Sequence, residues 1–320
     1  MSKYLILLCI AIFPRIAGAA DAAAKYPDHP VRVLVGYAAG SGPDIQARTV
    51  SHQLAESLHQ SFVVENRTGA NGTIAARAVA TAAPDGYTLL FSSSSIAPTP
   101  YIYKSLGYDI LTDLKPIATI GELDGIFMLV DAKSPIKSVP EFIAHAKKER
   151  VLYGSPGVGN ELHLRAELFA RKAGITMQHV PYKGASEVMN GLLSGSVQMM
   201  FVTPPSVMGL LKDGRVRALA FTGSKPFPAF PDVPLMKQYL PDFVEGSWGM
   251  FFAAGKTPDA VVDRLNAATH AALLEPAVSK IMQRDGYMPD KRNAAETQAF
   301  FRARVKATEA AVKAAGIEPQ

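Results

Sequence analysis

An α/β fold with central, mainly parallel sheets is the architecture this sequence predicts. Three observations point to it. Short apolar runs of β-branched and aliphatic residues alternate with longer amphipathic stretches along the chain. Each run ends in a turn of small residues before the next helix begins. The order strand, small-residue loop, helix appears near residue 40 and returns near residue 157. With 320 residues, 48% of them hydrophobic and 19% charged, the chain can bury the cores of one large or two medium domains.

The first unit is the most informative. Val31, Val33, Leu34 and Val35 suit a strand buried on both faces. The loop that follows, Tyr37-Ala38-Ala39-Gly40-Ser41-Gly42, carries one bulky side chain, Tyr37. Pro43 fits the first helical position because it has no N–H to leave unpaired, and Ser41 or Gly42 stands near the cap. Asp44 in the first turn complements the helix dipole, and Arg48 four residues on is its expected partner. Such a helix start offers free N–H groups to an anion. Tight packing of a glycine-rich turn is the alternative reading. Two nucleotide signatures fail here. Ile45 occupies the third glycine position of a dinucleotide fingerprint, and no Gly-Lys-Ser/Thr is present for a phosphate loop.

The remaining elements follow in order. A helix reaches about Gln60, and Phe62–Val64 is a strand. Thr73–Ala83 is an Ala-rich helix, and Pro84-Asp85-Gly86 is a turn before a strand over Tyr87–Phe91. That strand ends in Ser92-Ser93-Ser94-Ser95, either a simple loop or a set of hydroxyl donors at a site. Strands are expected within Leu114–Ile120 and over Ile126–Val130. Ser138 with Glu141 has the spacing of a capping box. Val151–Ser155 is a strand, and Pro156-Gly157-Val158-Gly159-Asn160 opens a helix that stops at Gly174. Strands over Met177–Val180, Val197–Val202 and Val216–Phe221 alternate with helices from about Ser186 and up to about Lys212. Ser224–Pro234, rich in Pro and aromatics, suggests a crossing between domains. Ser247–Ala253 is a central strand, Thr257-Pro258-Asp259 starts a helix, and Asn293 with Glu296 opens the last one. In parallel sheets, ligands sit beyond the carboxyl ends of the strands. Two helix starts from two domains can therefore pinch one anionic group between them.

Residues 1–20 read as an export signal: Lys3, an apolar run over Tyr4–Phe13, and small residues at Ala17-Gly18-Ala19. Its removal takes the single cysteine, Cys9, and two of the positive charges behind the formal net charge of +5. No stripe of basic residues interleaved with aromatics suggests nucleic acid. None of the seven histidines has zinc-motif spacing, so neither metal nor cofactor is expected. Ser155 lacks the spacing of a nucleophile elbow, and no nucleophile has a base assigned by motif. His163, early in the second unit's helix, either touches a ligand or packs. Trp248 and Tyr37 read as packing residues.

Several stretches taken in order carry a family resemblance: Gly40-Ser41-Gly42-Pro43-Asp44 with Ala47-Arg48, Glu65-Asn66-Arg67, Pro84-Asp85-Gly86-Tyr87-Thr88, Tyr153-Gly154-Ser155-Pro156-Gly157-Val158-Gly159, and His179-Val180-Pro181-Tyr182-Lys183-Gly184. Together they resemble the substrate-binding proteins of tripartite tricarboxylate transporters, the Bug-type receptors. The resemblance implies a type II periplasmic-binding-protein fold without catalysis, with lobe 1 formed by residues 26–122 and 225–320 and lobe 2 by 123–224. It also implies a monomeric periplasmic receptor that closes on a small organic anion, a mono- or dicarboxylate, and delivers it to a membrane permease. An enzyme acting on a carboxylate or nucleotide in the same cleft, and an orphan receptor acting as a sensor, are the alternatives.

Carried over, the ligand-binding residues are Tyr37, Ala38, Ala39, Gly40, Ser41, Pro43 and Asp44 in the first loop, joined by Ser92, Ser93 and Ser95. The second set is Ser155, Gly157, Gly159 and Asn160, joined by Tyr182, Lys183, Gly184 and Thr203. A β-branched residue at Gly157 or Gly159 is expected to block backbone approach to the ligand. Two departures stand out. Pro43 replaces a family Thr or Ser and removes a hydroxyl. Val202-Thr203 stands where many relatives have Asp-Asn, which implies a preference for acids without an α-amino group.

Overall fold

The computed structural model describes residues 25–317 and 319, so the export signal expected over 1–20 lies outside the described residues. The chain begins with β1 (Val31–Val35), α1 (Gly42–Leu58), β2 (Phe62–Asn66), α2 (Thr73–Ala80), β3 (Thr88–Ser93), α3 (Thr99–Ile102) and β4 (Leu114–Leu123). It continues through β5 (Phe127–Asp131), α4 (Val139–Ala146), β6 (Leu152–Ser155), α5 (Glu161–Ala173), β7 (Gln178–Pro181), α6 (Ala185–Leu193), β8 (Met199–Val202), α7 (Met208–Lys212) and β9 (Val216–Phe221). It returns through β10 (Ser247–Ala254), α8 (Asp259–Leu274), α9 (Pro276–Arg284), β11 (Tyr287–Met288) and α10 (Ala294–Ala315). The strands form a six-stranded sheet, β11-β4-β10-β3-β1-β2, and a five-stranded sheet, β7-β6-β8-β5-β9.

Each sheet is buried on both faces, which explains the near-continuous apolar strands. In β1, Val31, Val33 and Val35 face α1 and α8, while Leu34 points to the opposite core with Phe252, Phe301 and Val305. In the second sheet, Tyr153, Phe142 and Phe169 share one core, and Val188, Leu192 and Met200 share the other. The expected caps form. Asn293 and Glu296 make a reciprocal capping box on α10, and the Ser138 side chain accepts a bond from the Glu141 N–H on α4. Gly174 ends α5 in the left-handed conformation.

The sheets are mixed where mainly parallel ones were expected. β1–β2, β1–β3, β6–β7 and β6–β8 are parallel, whereas β10–β3, β10–β4, β11–β4, β5–β8 and β5–β9 are antiparallel. The chain path accounts for part of this. β4 leaves the first sheet where β10 enters it, with Leu123 opposite Ser247; in the second sheet β5 enters where β9 leaves, with Phe127 opposite Phe221. Strands that leave and return at one point must run in opposite directions. The segment read as a crossing behaves differently too. Phe227, Phe230, Val233 and Leu235 join one core of the second sheet, and Met236 and Phe243 join the other. The return crossing therefore lies after Phe243, at Glu245-Gly246. Helix α9 and strand β11 were not expected. Pro276 hides the helix start, although Val278 and Met282 supply a buried i, i+4 pair.

The crossings are held by close backbone contacts. The Thr222 hydroxyl accepts a bond from the Ile126 N–H at 2.9 Å, and the Glu245 N–H donates to the Thr222 carbonyl at 3.0 Å. A Cβ on Gly125 would stand 2.2 Å from the Gly223 nitrogen. Gly125→Ala is therefore expected to cost about 1–3 kcal/mol in urea denaturation, because backbone must move. Gly209→Ala, whose Cβ meets nothing within 4 Å, is expected to be neutral or slightly stabilising.

Candidate functional site

A cleft lies between the two sheets and draws its walls from both. From the first-sheet side come Tyr37, Ser41, Gly42, Pro43, Gln46, Ser93, Ser95, Ser247 and Tyr287. From the second come Pro156, Asn160, Glu161, Leu162, Gly184, Ala185, Val202, Thr203 and Ser206. Three helices begin at this cleft, and their starts are not equivalent. Helix α1 has Ser41 at its cap with no side-chain cap bond, and the Ser41 hydroxyl is itself buried without a partner. Helix α6 follows Gly184, which has no side chain to cap with. Helix α5 is closed off: Asn160 accepts the Leu162 N–H at 2.9 Å, and the Glu161 N–H donates to the Ser95 hydroxyl at 3.3 Å. The open N–H ends are thus those of α1 and α6, which meet where a Cβ on Gly184 would stand 3.1 Å from the Ala38 Cβ.

Of the residues expected at the ligand, Tyr37, Ser41, Pro43, Ser93, Ser95, Asn160 and Thr203 line the cleft. Ala38, Ala39, Gly40, Asp44, Ser92, Ser155, Gly157, Gly159, Tyr182 and Lys183 do not. Ala39 and Gly40 are exposed on the outer turn of the first loop. Asp44 folds back onto its own surroundings, accepting bonds from the Gly40 N–H at 2.9 Å and from Asn66 at 2.7 Å, and pairing with Arg48 at 3.1 Å. Burial opposes ionisation of Asp44, but the bonds from Arg48, Asn66 and Gly40 outweigh it and hold the carboxyl below its ordinary value. The Ser92 hydroxyl lies 3.3 Å from the Tyr37 hydroxyl, behind the wall. Lys183 is exposed, with its backbone N–H bonded to Glu187. A Cβ on Gly159 would stand 2.3 Å from Ile102 across the interface, so substitution there disturbs lobe packing rather than a ligand contact.

The second loop is held from beneath by two stacked histidines. The rings of His163 and His179 lie 3.9 Å apart at 16°. His163 Nδ1 accepts the Gly159 N–H at 2.9 Å, and His179 Nε2 lies 2.6 Å from the Ser155 hydroxyl. Of the two readings of His163, packing is the one observed. Burial pushes His163 down to about 3, helped by His179, and burial alone pushes His179 down to about 4. Trp248 packs edge-on against Phe300 and Phe301, away from the cleft.

Sequence reasoning missed Gln46, Glu161, Leu162, Ala185, Ser206, Ser247 and Tyr287 at the cleft. Gln46 and Glu161 look like helix surface in the sequence; no local pattern reports that the opposite lobe covers them. Gly184, expected in the second set, does line the cleft, where it precedes a helix with no capping side chain. Among the described residues, no group of three or more His, Cys, Asp or Glu forms a metal centre, and no helix is long and apolar enough to cross a membrane.

Comparison with known proteins places this geometry in context. A family model described as tripartite tricarboxylate transporter family receptor matches residues 46–317. Protein BugT of Bordetella pertussis is 32% identical over 308 residues, covering 94% of each chain. The solved structure of the periplasmic binding protein BugD superposes with a TM-score of 0.87 at 30% identity, over 92% of this chain and all of that one. Rpa4515 of R. palustris, solved with adipate, gives 0.88 at 30% identity over the same shares.

The histidine stack generates a stability prediction. The unfolded chain takes up protons on both histidines as pH falls through about 6.5, while the folded chain refuses them until about 4 and 3. Stability should therefore fall from about pH 6.5 downward, as followed by urea denaturation. His179→Gln should reduce the slope over the same range.

Proposed function

This chain belongs to the tripartite tricarboxylate transporter receptor family, and we propose that it captures a small organic carboxylate between its lobes for delivery to a membrane permease of that transporter type. One observation carries the reading. Two helices from different lobes, α1 and α6, present starts without a side-chain cap to a single cleft. Peptide N–H groups at a helix start carry partial positive charge and recognise a carboxylate without regard to what it is attached to. The buried hydroxyls of Ser41 and Ser206, which have no partner, add one more hydrogen-bonding group on each wall.

Burial in a cleft made by both lobes supports closure as the capture step, because neither lobe alone encloses the solute. Asn160 donates to Asn71 across the interface at 2.9 Å, so an opening of the cleft there would have to break this bond. The relatives are solute-binding proteins, and the cleft brings together no nucleophile and base arranged for turnover, so we read the protein as a receptor rather than an enzyme. The expected export signal over residues 1–20 agrees with a periplasmic place of work. We take the working unit to be a monomer, since one chain supplies both walls.

A thermal-shift screen of short organic acids on the mature protein tests this. A binding acid at about 100 times its dissociation constant adds roughly 2.7 kcal/mol and should raise Tm by several degrees. No shift with any mono- or dicarboxylate, alongside turnover of one of them, would favour an enzyme.

A further inference from the structure

Glu161 stands on the first turn of α5, but its carboxyl reaches across to the first-sheet side. One carboxyl oxygen contacts the Ser94 hydroxyl, and the other lies 3.0 Å from the Ser247 hydroxyl. The two hydroxyls are themselves 3.0 Å apart. The three side chains thus close a ring of three contacts, and all three residues are buried. Three hydrogen bonds need three hydrogens. Each serine hydroxyl supplies one, and an ionised carboxylate supplies none. With Glu161 ionised, either both hydroxyls turn to it and face each other with lone pairs, or one of its oxygens goes without a donor. A proton on Glu161 removes both faults. The carboxyl O–H then donates to Ser94, the Ser94 hydroxyl donates to Ser247, and the Ser247 hydroxyl donates to the second carboxyl oxygen.

The charged and titratable groups around the ring are engaged elsewhere. Arg165, on the same helix, pairs with Glu245 at 2.9 Å. Arg304 of α10 pairs with Glu122 of β4 at 2.9 Å, and Arg292 joins that carboxylate at 2.8 Å. Asp124, just after β4, accepts the Ser224 N–H. The phenols of Tyr37 and Tyr287 face Glu161 from the first loop and from β11. Among the described residues lining the cleft, none is Lys, Arg or His. Burial pushes the Glu161 carboxyl up against the pull of the Ser94 hydroxyl, Arg165 and the Ser247 hydroxyl, in agreement with the hydrogen count.

We propose that Glu161 is a proton site, and that closing the lobes on the solute takes up one proton from solvent onto its carboxyl. The inference rests on the receptor reading and adds a proton to the capture step. Glu161 belongs to one side of the cleft and both serines to the other, so opening separates the ring. The carboxyl then returns to water, where a Glu ionises at about pH 4.3 and gives the proton back. The closed state is the one that holds the proton. Capture therefore strengthens as pH falls and weakens as pH rises through the closed-state value. A neutral Glu161 also places no second negative charge beside an incoming carboxylate in a cleft without cations.

The test is calorimetry of malate, succinate and adipate with the mature protein and with Glu161→Gln. The glutamine amide copies the protonated carboxyl: its NH2 can donate to Ser94 while its oxygen accepts from Ser247. Titrations at pH 7 in two buffers of different ionisation enthalpy count the protons taken up, and titrations at pH 6 and pH 8 give the affinities. The wild type should take up at least half a proton per solute bound and should bind ten-fold or more tightly at pH 6 than at pH 8. Glu161→Gln should take up none, and at pH 8 it should bind within three-fold of the wild type at pH 6. Binding by the wild type without proton uptake, or a variant that keeps the wild-type uptake, overturns the proton site and leaves the receptor reading standing. Should the variant not fold, the wild-type proton count decides alone. Should none of the three acids bind, the receptor reading loses its support, and X-ray scattering of the solute-free protein tests the proton site by itself. The radius of gyration should then fall between pH 8 and pH 6 in the wild type, and a radius that stays constant overturns the inference.

Discussion

Backbone N–H groups at the start of a helix have no intrahelical acceptor, and burying them without one is costly. Among the described α-helices, three meet that constraint with a capping side chain: Asn160 serves α5, Ser138 serves α4 and Asn293 serves α10. Helices α1 and α6 lack such a side-chain cap, and both begin at the cleft between the sheets. On the proposed reading, their unmet donors select a carboxylate and tie its capture to closure, because the two helices belong to different lobes.

Much of the scaffold was legible in the sequence, because it follows from local chemistry. Apolar strand runs, the Asn293–Glu296 box and the Gly174 stop all act within a few residues of where they are written. The start of α1 was legible for the same reason, from Ser41-Gly42-Pro43, but that the Ser41 hydroxyl makes no cap bond was not written there. Strand direction was less so. Whether β10 runs with or against β3 depends on where the chain leaves and re-enters a sheet, and no residue in β10 records that.

The second half of the cleft shows the limit more sharply. The Gly157–Gly159 loop resembles the first loop in composition, yet Asn160 caps the helix after it and His163 takes up the Gly159 N–H. The open start belongs instead to α6, after Gly184. Glu161 and Gln46 are ordinary helix residues by pattern. They become cleft residues because the opposite lobe covers them, a long-range fact with no local signature.

The most direct measurement of the central claim is a backbone amide NMR titration of the mature protein with the organic acid that stabilises it most. The amides of Gly42, Asp44, Ala185 and Ser186 should show the largest shifts, moving together along one binding curve, since one carboxylate bridges both helix starts. Shifts concentrated at residues 157–163, with those four amides unmoved, would contradict the account.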